Sequence, residues 1–142
     1  MSMLVDSGAW YAVANAADRH HKRAKGFYGE HIGGTPFVTT DLVVAETMAL
    51  LTAHLGRPAA IQFWGSVREA RIPVLTMEAT DLEAAWHIAH AYPDQDFSFV
   101  DCTSFAVMER LSIHDAFSFD AHFLFFRFGP GRRRPFRRFP ES

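Results

Sequence analysis

Short apolar runs alternate with longer amphipathic segments along most of the chain. The apolar runs have the composition of short strands and lie at residues 3–5, 36–40, 72–76 and 115–120. The segments between them show helical periodicity over residues 7–18, 20–34, 42–56, 59–71, 78–92 and 99–111. This alternation predicts βαβ units, and therefore an α/β fold with a mainly parallel sheet covered by helices on both faces.

Capping residues support several of these helix boundaries. Ser7 can cap the first helix, and Thr40 or Asp41 can cap the helix that Gly56 ends. Ser98 is placed to cap the late helix that begins with Phe99. The helix positions are therefore predicted by end signals as well as by periodicity.

Length and charge predict one domain followed by a basic tail. The chain has 142 residues and 49% hydrophobic residues, enough for a single core. Residues 127–142 carry six arginines against one glutamate, a charge of +5, so the net charge of −2 leaves −7 on residues 1–126. We therefore expect a domain at 1–126 and an Arg-rich tail at 127–142, part strand or mobile.

The sequence also suggests where the protein works. No apolar run is long enough to span a bilayer, and the N-terminus has no recognisable export signal. The single cysteine, Cys102, excludes an internal disulfide and a multi-cysteine zinc site. A cytoplasmic protein without membrane association is expected.

Four acidic residues interrupt positions that the pattern otherwise keeps apolar. Glu46 and Asp101 each lie on the apolar face of a predicted helix. Asp6 and Asp120 each close a predicted strand, and the carboxyl ends of parallel strands open on the crevice where ligands bind. We therefore expect the four carboxylates to meet at one edge of the sheet.

A shared divalent cation is the simplest way to keep these four acids ionised. Burial of an unpaired carboxylate costs on the order of several kcal/mol, and no lysine or arginine lies within four positions of Glu46 or Asp101. Carboxylate oxygens suit Mg²⁺ or Mn²⁺ better than zinc. Each acid alone also has an ordinary interpretation, as a cap, a turn former or the partner of a distant arginine.

The stretch HDAFSFDAH at residues 114–122 resembles a two-histidine, two-aspartate zinc site. In an extended strand, however, Asp115 and Asp120 point to opposite faces at opposite ends and cannot readily share an ion. His114 is assigned to the preceding turn. His122 lies just past the edge, where it can contact substrate, but a role at the start of the next helix is favoured. Only Asp120 is therefore retained as a candidate ligand from this stretch.

Four ordered motifs resemble the PIN domain family, most closely the VapC-type ribonuclease toxins of toxin–antitoxin pairs. They are VDSGAWYA, TTDLVVAETMALL, SFVDCTSFAVMERL and AFSFDAHF, within residues 3–124. The resemblance implies a three-layer α/β/α fold and Mg²⁺- or Mn²⁺-dependent hydrolysis of RNA phosphodiester bonds. Matched by position, it implies that the catalytic and metal-binding residues are Asp6, Glu46, Asp101 and Asp120.

Several neighbouring residues are assigned supporting roles with equally ordinary alternatives. Ser7 can contact a ligand or cap its helix, and Asp96 can join the acidic edge or form a turn. Ser104, one helical turn after Asp101, can hydrogen-bond that carboxylate. These three residues form a second tier of the predicted site.

Basic and aromatic residues suggest partners. The tail arginines, interleaved with phenylalanines, can contact RNA or an antitoxin, or belong to a mobile end; they are Arg132, Arg133, Arg134, Arg137 and Arg138. The basic run at residues 19–25 is a second candidate for phosphate contact or an ordinary solvated helix face. Family resemblance favours a homodimer, in which one or two of Trp10, Trp64 and Trp86 can lie at the interface.

Three functions remain open at this point. The leading prediction is a metal-dependent endoribonuclease that acts as a toxin and is neutralised by a cognate antitoxin. The alternatives are a PIN nuclease for RNA processing without an antitoxin, and a binding module that recognises RNA or protein without cutting. A phosphatase is less attractive, because no second acid follows Asp6 at two residues.

Overall fold

A computed structural model describes residues 2–141 and contains seven strands. Five of them form one sheet in the order β3-β2-β1-β4-β7, and every neighbouring pair is parallel. The strands are β1 (Met3–Val5), β2 (Phe37–Thr40), β3 (Val74–Leu75), β4 (Asp115–Phe117), β5 (Arg127–Phe128), β6 (Arg134–Pro135) and β7 (Arg137–Phe139). The four strands nearest the N-terminus overlap the four runs predicted from the sequence.

Helices cover both faces of this sheet. They are α1 (Ser7–Ala14), α2 (His21–His31), α3 (Asp41–Leu55), α4 (Arg57–Glu69), α5 (Ala79–Ala91), α6 (Phe99–Arg110) and α7 (His122–Phe125). The predicted three-layer α/β/α arrangement is therefore confirmed. Within residues 2–141, no helix combines the length and hydrophobicity needed to cross a lipid bilayer.

Alternate residues of the central strands divide the core in two. Met3, Val5 and Phe117 face a cluster with helices α1 to α4, whereas Leu4 and Ala116 face a cluster with α5, α6 and α7. This division follows from the two-residue period of a strand. It explains why these runs are apolar throughout, because both of their faces are buried.

The predicted end signals act at three helix boundaries. The Thr40 hydroxyl accepts a hydrogen bond from the Val43 amide at the start of α3, at 3.0 Å. Gly56 ends α3 with φ at 96°, a conformation that glycine adopts without steric cost. Ser98 caps α6 by accepting from the Asp101 amide at 3.0 Å.

Two predictions near the N- and C-terminal ends of the fold were wrong in detail. Helix α1 ends at Ala14, not residue 18, and its N-cap is Asp6, not Ser7. The last central strand ends at Phe117, so Asp120 lies in a loop and not at the end of a strand. Polar contacts of Ser118 turn the chain there, because its hydroxyl accepts from the Asp120 amide at 3.0 Å.

The Arg-rich segment contributes strands to the fold. Strands β5 and β6 pair antiparallel, and β7 pairs parallel with β4 at the sheet edge. Phe136, between β6 and β7, is buried in the core and lies 5.4 Å from the Phe126 ring. The division between residues 1–126 and 127–142 stays a prediction.

Candidate active site

The candidate site lies at the carboxyl edge of the central strands. Asp6 follows β1 directly, and its amide donates to the Phe117 carbonyl at the end of β4, at 3.0 Å. Ser118, the first residue after β4, donates from its hydroxyl to Asp6 Oδ2 at 3.0 Å. Because that hydroxyl also accepts from the Asp120 amide, one buried serine links two of the predicted acids.

Helix α6 brings the third acid to this edge. Asp101 lies in the first turn of α6, where its carboxylate accepts the Ser98 amide at 3.0 Å. The reciprocal bonds between Ser98 and Asp101 form a capping box, which fixes the carboxylate relative to the helix axis. Asp101 is buried, and its position at a helix N-terminus favours negative charge.

Asp101, Asp120 and His122 offer one ligand atom each, and these atoms lie within 4.8 Å of one another. His122 Nδ1 is 2.8 Å from Asp101 Oδ2 and 3.4 Å from Asp120 Oδ1. The Asp120 carboxylate also accepts the His122 amide at 2.8 Å and thereby holds the start of α7. Two carboxylates and an imidazole therefore converge at spacing suitable for one cation.

Glu46 reaches the same region through Ser7. The Ser7 hydroxyl donates to Glu46 Oε1, which places the α3 carboxylate next to the residue that follows Asp6. Glu46 is half-buried, and neither Glu46 nor Asp6 is part of the group of three ligand atoms. The structure thus brings Asp6, Asp101 and Asp120 together, with Glu46 at the side of the cluster.

The acids of this cluster lie close together and have His122 as a basic contact. Burial raises the pKa of Asp6 to about 7, and the nearby Asp101 and Asp120 charges add to that rise. Burial and the Asp101 charge also raise the pKa of the Cys102 thiol. Within residues 2–141, no lysine or arginine forms an ion pair with any of the four acids.

Two second-tier assignments have no support in the contacts. The Ser104 hydroxyl is buried and has no hydrogen-bond partner among residues 2–141, so the predicted bond to Asp101 is not formed. The Asp101 carboxylate is directed instead to Ser98 and His122. Asp96 is exposed in the loop before α6, outside the group of ligand atoms.

Sequence reasoning missed Ser118 and His122. Both were visible as polar residues in an otherwise apolar stretch, spaced two residues on either side of Asp120. His122 was interpreted as the start of a helix, with substrate contact as the alternative, and it does begin α7. Its contact with Asp101, 21 residues earlier, could not be read from local spacing.

The tail arginines do not share one environment. Arg137 binds Asp115 at the opposite end of β4 with two bonds of 2.8 and 3.0 Å. Arg134 lies over the Phe128 ring at 4.9 Å and Arg132 over Phe126 at 5.8 Å. Arg138 donates to the carbonyl of Phe119, the residue before Asp120, at 3.4 Å.

Comparisons with known proteins agree with this arrangement. A PIN domain model matches residues 3–128. The 23S rRNA-specific endonuclease VapC20 of Mycobacterium tuberculosis is 34% identical over 123 residues, which cover 85% of this chain and 91% of VapC20. The crystal structure of M. tuberculosis VapC20, a Sarcin-Ricin loop cleaving toxin, gives a TM-score of 0.77 at 32% identity and covers 84% of this chain and 90% of that chain.

Proposed function

The chain belongs to the PIN domain family, and on this premise we propose that it is a divalent-metal-dependent endoribonuclease acting as the toxin of a toxin–antitoxin pair. The observation that carries the proposal is the convergence of Asp6, Asp101 and Asp120 at one edge of the sheet, without a lysine or arginine ion pair among residues 2–141. The 23S rRNA specificity of VapC20 makes structured ribosomal RNA the first substrate class to test.

The donor set fits Mg²⁺ or Mn²⁺. Asp101 and Asp120 offer carboxylate oxygens within 4.8 Å of each other, and carboxylates are the ligands that these ions prefer. Asp6 lies close to both acids, and His122 Nδ1 contacts Asp101 beside them. Asp6 is buried, and burial together with the Asp101 and Asp120 charges raises its pKa to about 7, a cost of ionisation that a bound cation would offset. When bound, the cation supplies positive charge at the phosphoryl group and lowers the pKa of an attacking water.

The protein's own groups orient the reaction in this proposal. Ser118 holds Asp6 and the Asp120 backbone, so the two carboxylates keep a fixed separation. Ser98 and His122 hold Asp101 Oδ2, which leaves its other oxygen free to face a ligand. Glu46, held by Ser7, acts at the side of the cluster by orienting the water that attacks phosphorus.

The partner assignments form part of the same proposal. A cognate antitoxin can neutralise the site by placing a basic side chain against the unpaired carboxylates. A cytoplasmic location follows from the RNA substrate. A homodimer is supported by the α5–α6 surface, defined as Leu82, Trp86 and Phe99, which lines a cleft of about 300 Å³.

Exposure of the α5–α6 surface makes the homodimer testable. Trp86 is 62% exposed and Phe99 63% exposed, unusual values for large apolar side chains. Trp64 on α4 is also exposed, whereas Trp10 is buried in the core. A Trp86→Ser, Phe99→Ser variant should therefore shift the protein to monomer in light scattering, while Trp64→Ser should not.

Cleavage assays decide the catalytic proposal. Wild-type protein should cleave ribosomal RNA with Mn²⁺ or Mg²⁺ and be inactive with EDTA, and Asp6→Asn should lose activity while remaining folded. Mapping of RNA 5′ ends after induced expression would identify the cleavage site. Full metal-dependent cleavage by Asp6→Asn would refute the mechanism, and metal-independent RNA binding without cleavage would favour the binding-module alternative.

A further inference from the structure

Basic groups from separate parts of the chain meet at Phe119, the residue before Asp120. The His20 ring stacks on the Phe119 ring with centroids 4.3 Å apart and an interplanar angle of 4°. The Arg23 guanidinium carbon lies 5.6 Å from the Phe119 ring centroid, and Arg138 donates to the Phe119 carbonyl. We call Arg19, His20, Arg23 and Arg138, together with Phe119, the Phe119 cluster.

The charges of the Phe119 cluster are available to a ligand. Within residues 2–141, no carboxylate lies at ion-pair distance from Arg19, Arg23 or Arg138. Arg23 donates to the Glu141 backbone carbonyl, and Arg19 donates to the His20 ring. Asp18, the acid nearest in sequence, accepts the His20 amide and forms no ion pair with these arginines. The cluster therefore keeps its positive charge beside an acidic site.

An acid-lined nuclease site repels its own substrate, and the positive charges of the Phe119 cluster can offset that repulsion. RNA phosphates are repelled by carboxylates, so the strand has to be held by cations outside the metal site. Guanidinium groups suit this role, because they bind phosphate oxygens through paired donors. The His20–Phe119 stack adds an aromatic surface of the kind on which unpaired bases pack.

We propose that the Phe119 cluster is an RNA-backbone binding site that holds the phosphates next to the one being cleaved. This inference rests on the proposed ribonuclease function. Arg23 and Arg138 contact phosphate, and Arg19 extends the basic surface along α2. The position of Phe119, adjacent to Asp120, ties the held phosphates to the acidic site.

The exposed arginines of the β5–β6 hairpin are placed less favourably for RNA bound at the acids. Arg132 to Arg134 lie in the turn and second strand of the β5–β6 hairpin, directly before β7. Strand β7 begins at Arg137 beside Asp115, so the hairpin enters the sheet at the end of β4 remote from Asp120. Of these two basic surfaces, the Phe119 cluster is therefore the one that adjoins Asp120.

Equilibrium binding in EDTA tests the proposal without requiring cleavage. The probe is a 5′-labelled RNA stem-loop, and the variant is Arg23→Ala with Arg138→Ala. We expect affinity to fall at least about 10-fold, and the slope of log affinity against log salt to fall by about 0.7 to 0.9 for each lost phosphate contact. The matched control, Arg57→Ala with Arg68→Ala, removes the same charge from the α4 surface and should change affinity less than about 2-fold.

Further variants and measurements separate loss of charge from loss of folding, and RNA binding from antitoxin binding. Arg23→Lys with Arg138→Lys should recover part of the affinity and most of the salt slope, because point charge is retained. Equal losses in the cluster and control variants would overturn the proposal, as would unchanged RNA affinity with lost antitoxin binding. If the cluster variant loses RNA affinity but wild-type protein never cleaves, the proposed ribonuclease function fails, while RNA-backbone binding at the Phe119 cluster is still supported.

Discussion

Two aspartates lie at the two ends of strand β4. Asp115 is its first residue and Asp120 lies three residues beyond its last, and their carboxylates have different kinds of partner. Asp115 is buried and accepts two bonds from the Arg137 guanidinium, at 2.8 and 3.0 Å. Asp120 is half-buried and faces Asp101 and His122, with no arginine or lysine ion pair among residues 2–141. One end of the strand is electrically neutralised, and the other end is not.

This difference teaches that burial of an acid does not by itself mark a functional site. Asp81 repeats the neutralised arrangement, because hydrogen bonds from Arg110 lower the pKa of its carboxyl. Asp6 shows the reverse, with burial and two neighbouring carboxylates raising its pKa to about 7. The absence of a lysine or arginine partner distinguishes the acids that we propose for catalysis from acids that are paired within the fold.

Removal of one charge from each end of β4 should give the largest contrast. Asp120→Asn should lower kcat/KM for RNA cleavage about 100- to 1000-fold, because it removes a charge that acts on the reacting phosphate. Asp115→Asn should change kcat/KM less than about 3-fold per folded molecule, since it is remote from the chemistry. Initial rates with Mn²⁺, corrected for folded fraction, measure both. Similar losses in the two variants would contradict the assignment.

The raised pKa of Asp6 predicts a pH-dependent stability in the metal-free protein. Between the ordinary carboxyl pKa of 3.8 and about 7, folded Asp6 keeps a proton that the unfolded chain has lost. The Asp6 contribution to stability is therefore full below about pH 4 and declines as pH rises to about 7, by up to about 1.4 kcal/mol per pH unit.

Thermal unfolding in EDTA across this pH range measures the Asp6 effect. Asp6→Asn should remove the decline, whereas Asp115→Asn should keep it and serves as the control. Addition of Mn²⁺ should stabilise wild-type protein more at higher pH, because protonation of Asp6 competes with the cation. Parallel pH curves for wild type and Asp6→Asn would show that Asp6 is ionised normally.

Loss of the Arg137 side chain, which neutralises Asp115, should lower stability and leave catalysis unchanged. Arg137→Ala should lower the free energy of unfolding by about 2 kcal/mol, because it leaves Asp115 buried without its bidentate partner. The Arg137 side chain is 63% exposed, so solvent screening limits the effect. Urea denaturation measures it, and a cycle with Asp115→Asn should give a clear coupling energy. Additive effects would mean that the pair contributes nothing.

Much of this architecture could be predicted from local signals. Caps at Thr40 and Ser98 and the glycine at position 56 marked helices that the structure confirms. Glu46 and Asp101 stood out because they interrupt apolar helix faces. Such signals depend on residues within four positions of each other, and a sequence displays them directly.

The remaining features depend on contacts between distant residues. Strand β7 is short and arginine-rich, and it pairs with β4, where Arg137 contacts Asp115, 22 residues earlier. Asp115 and Asp120 look equivalent in sequence because the arginine that neutralises one of them cannot be assigned locally. The convergence of residues 19–23 with Arg138 on Phe119 is hidden for the same reason.

Substitution of His122 tests the Asp120 end of β4 and has the smallest expected effect of these predictions. Its Nδ1 lies 2.8 Å from Asp101 Oδ2, so it orients a proposed ligand. Loss of such an orienting partner typically weakens metal binding 10- to 100-fold, and we expect about 10-fold weaker Mn²⁺ affinity for His122→Ala. His122→Asn should recover much of this loss, because its amide nitrogen occupies nearly the position of Nδ1.

Isothermal titration calorimetry with Mn²⁺ alone measures this affinity without RNA or turnover. His87→Ala is the control, since His87 pairs only with the exposed Glu83 on α5. A loss of affinity in His122→Ala that asparagine restores means that the nitrogen opposite Asp101 matters, not ring packing against Phe97. Unchanged affinity in His122→Ala would mean that the carboxylates hold the cation unaided, and the contrast between the two ends of β4 would then depend on acids alone.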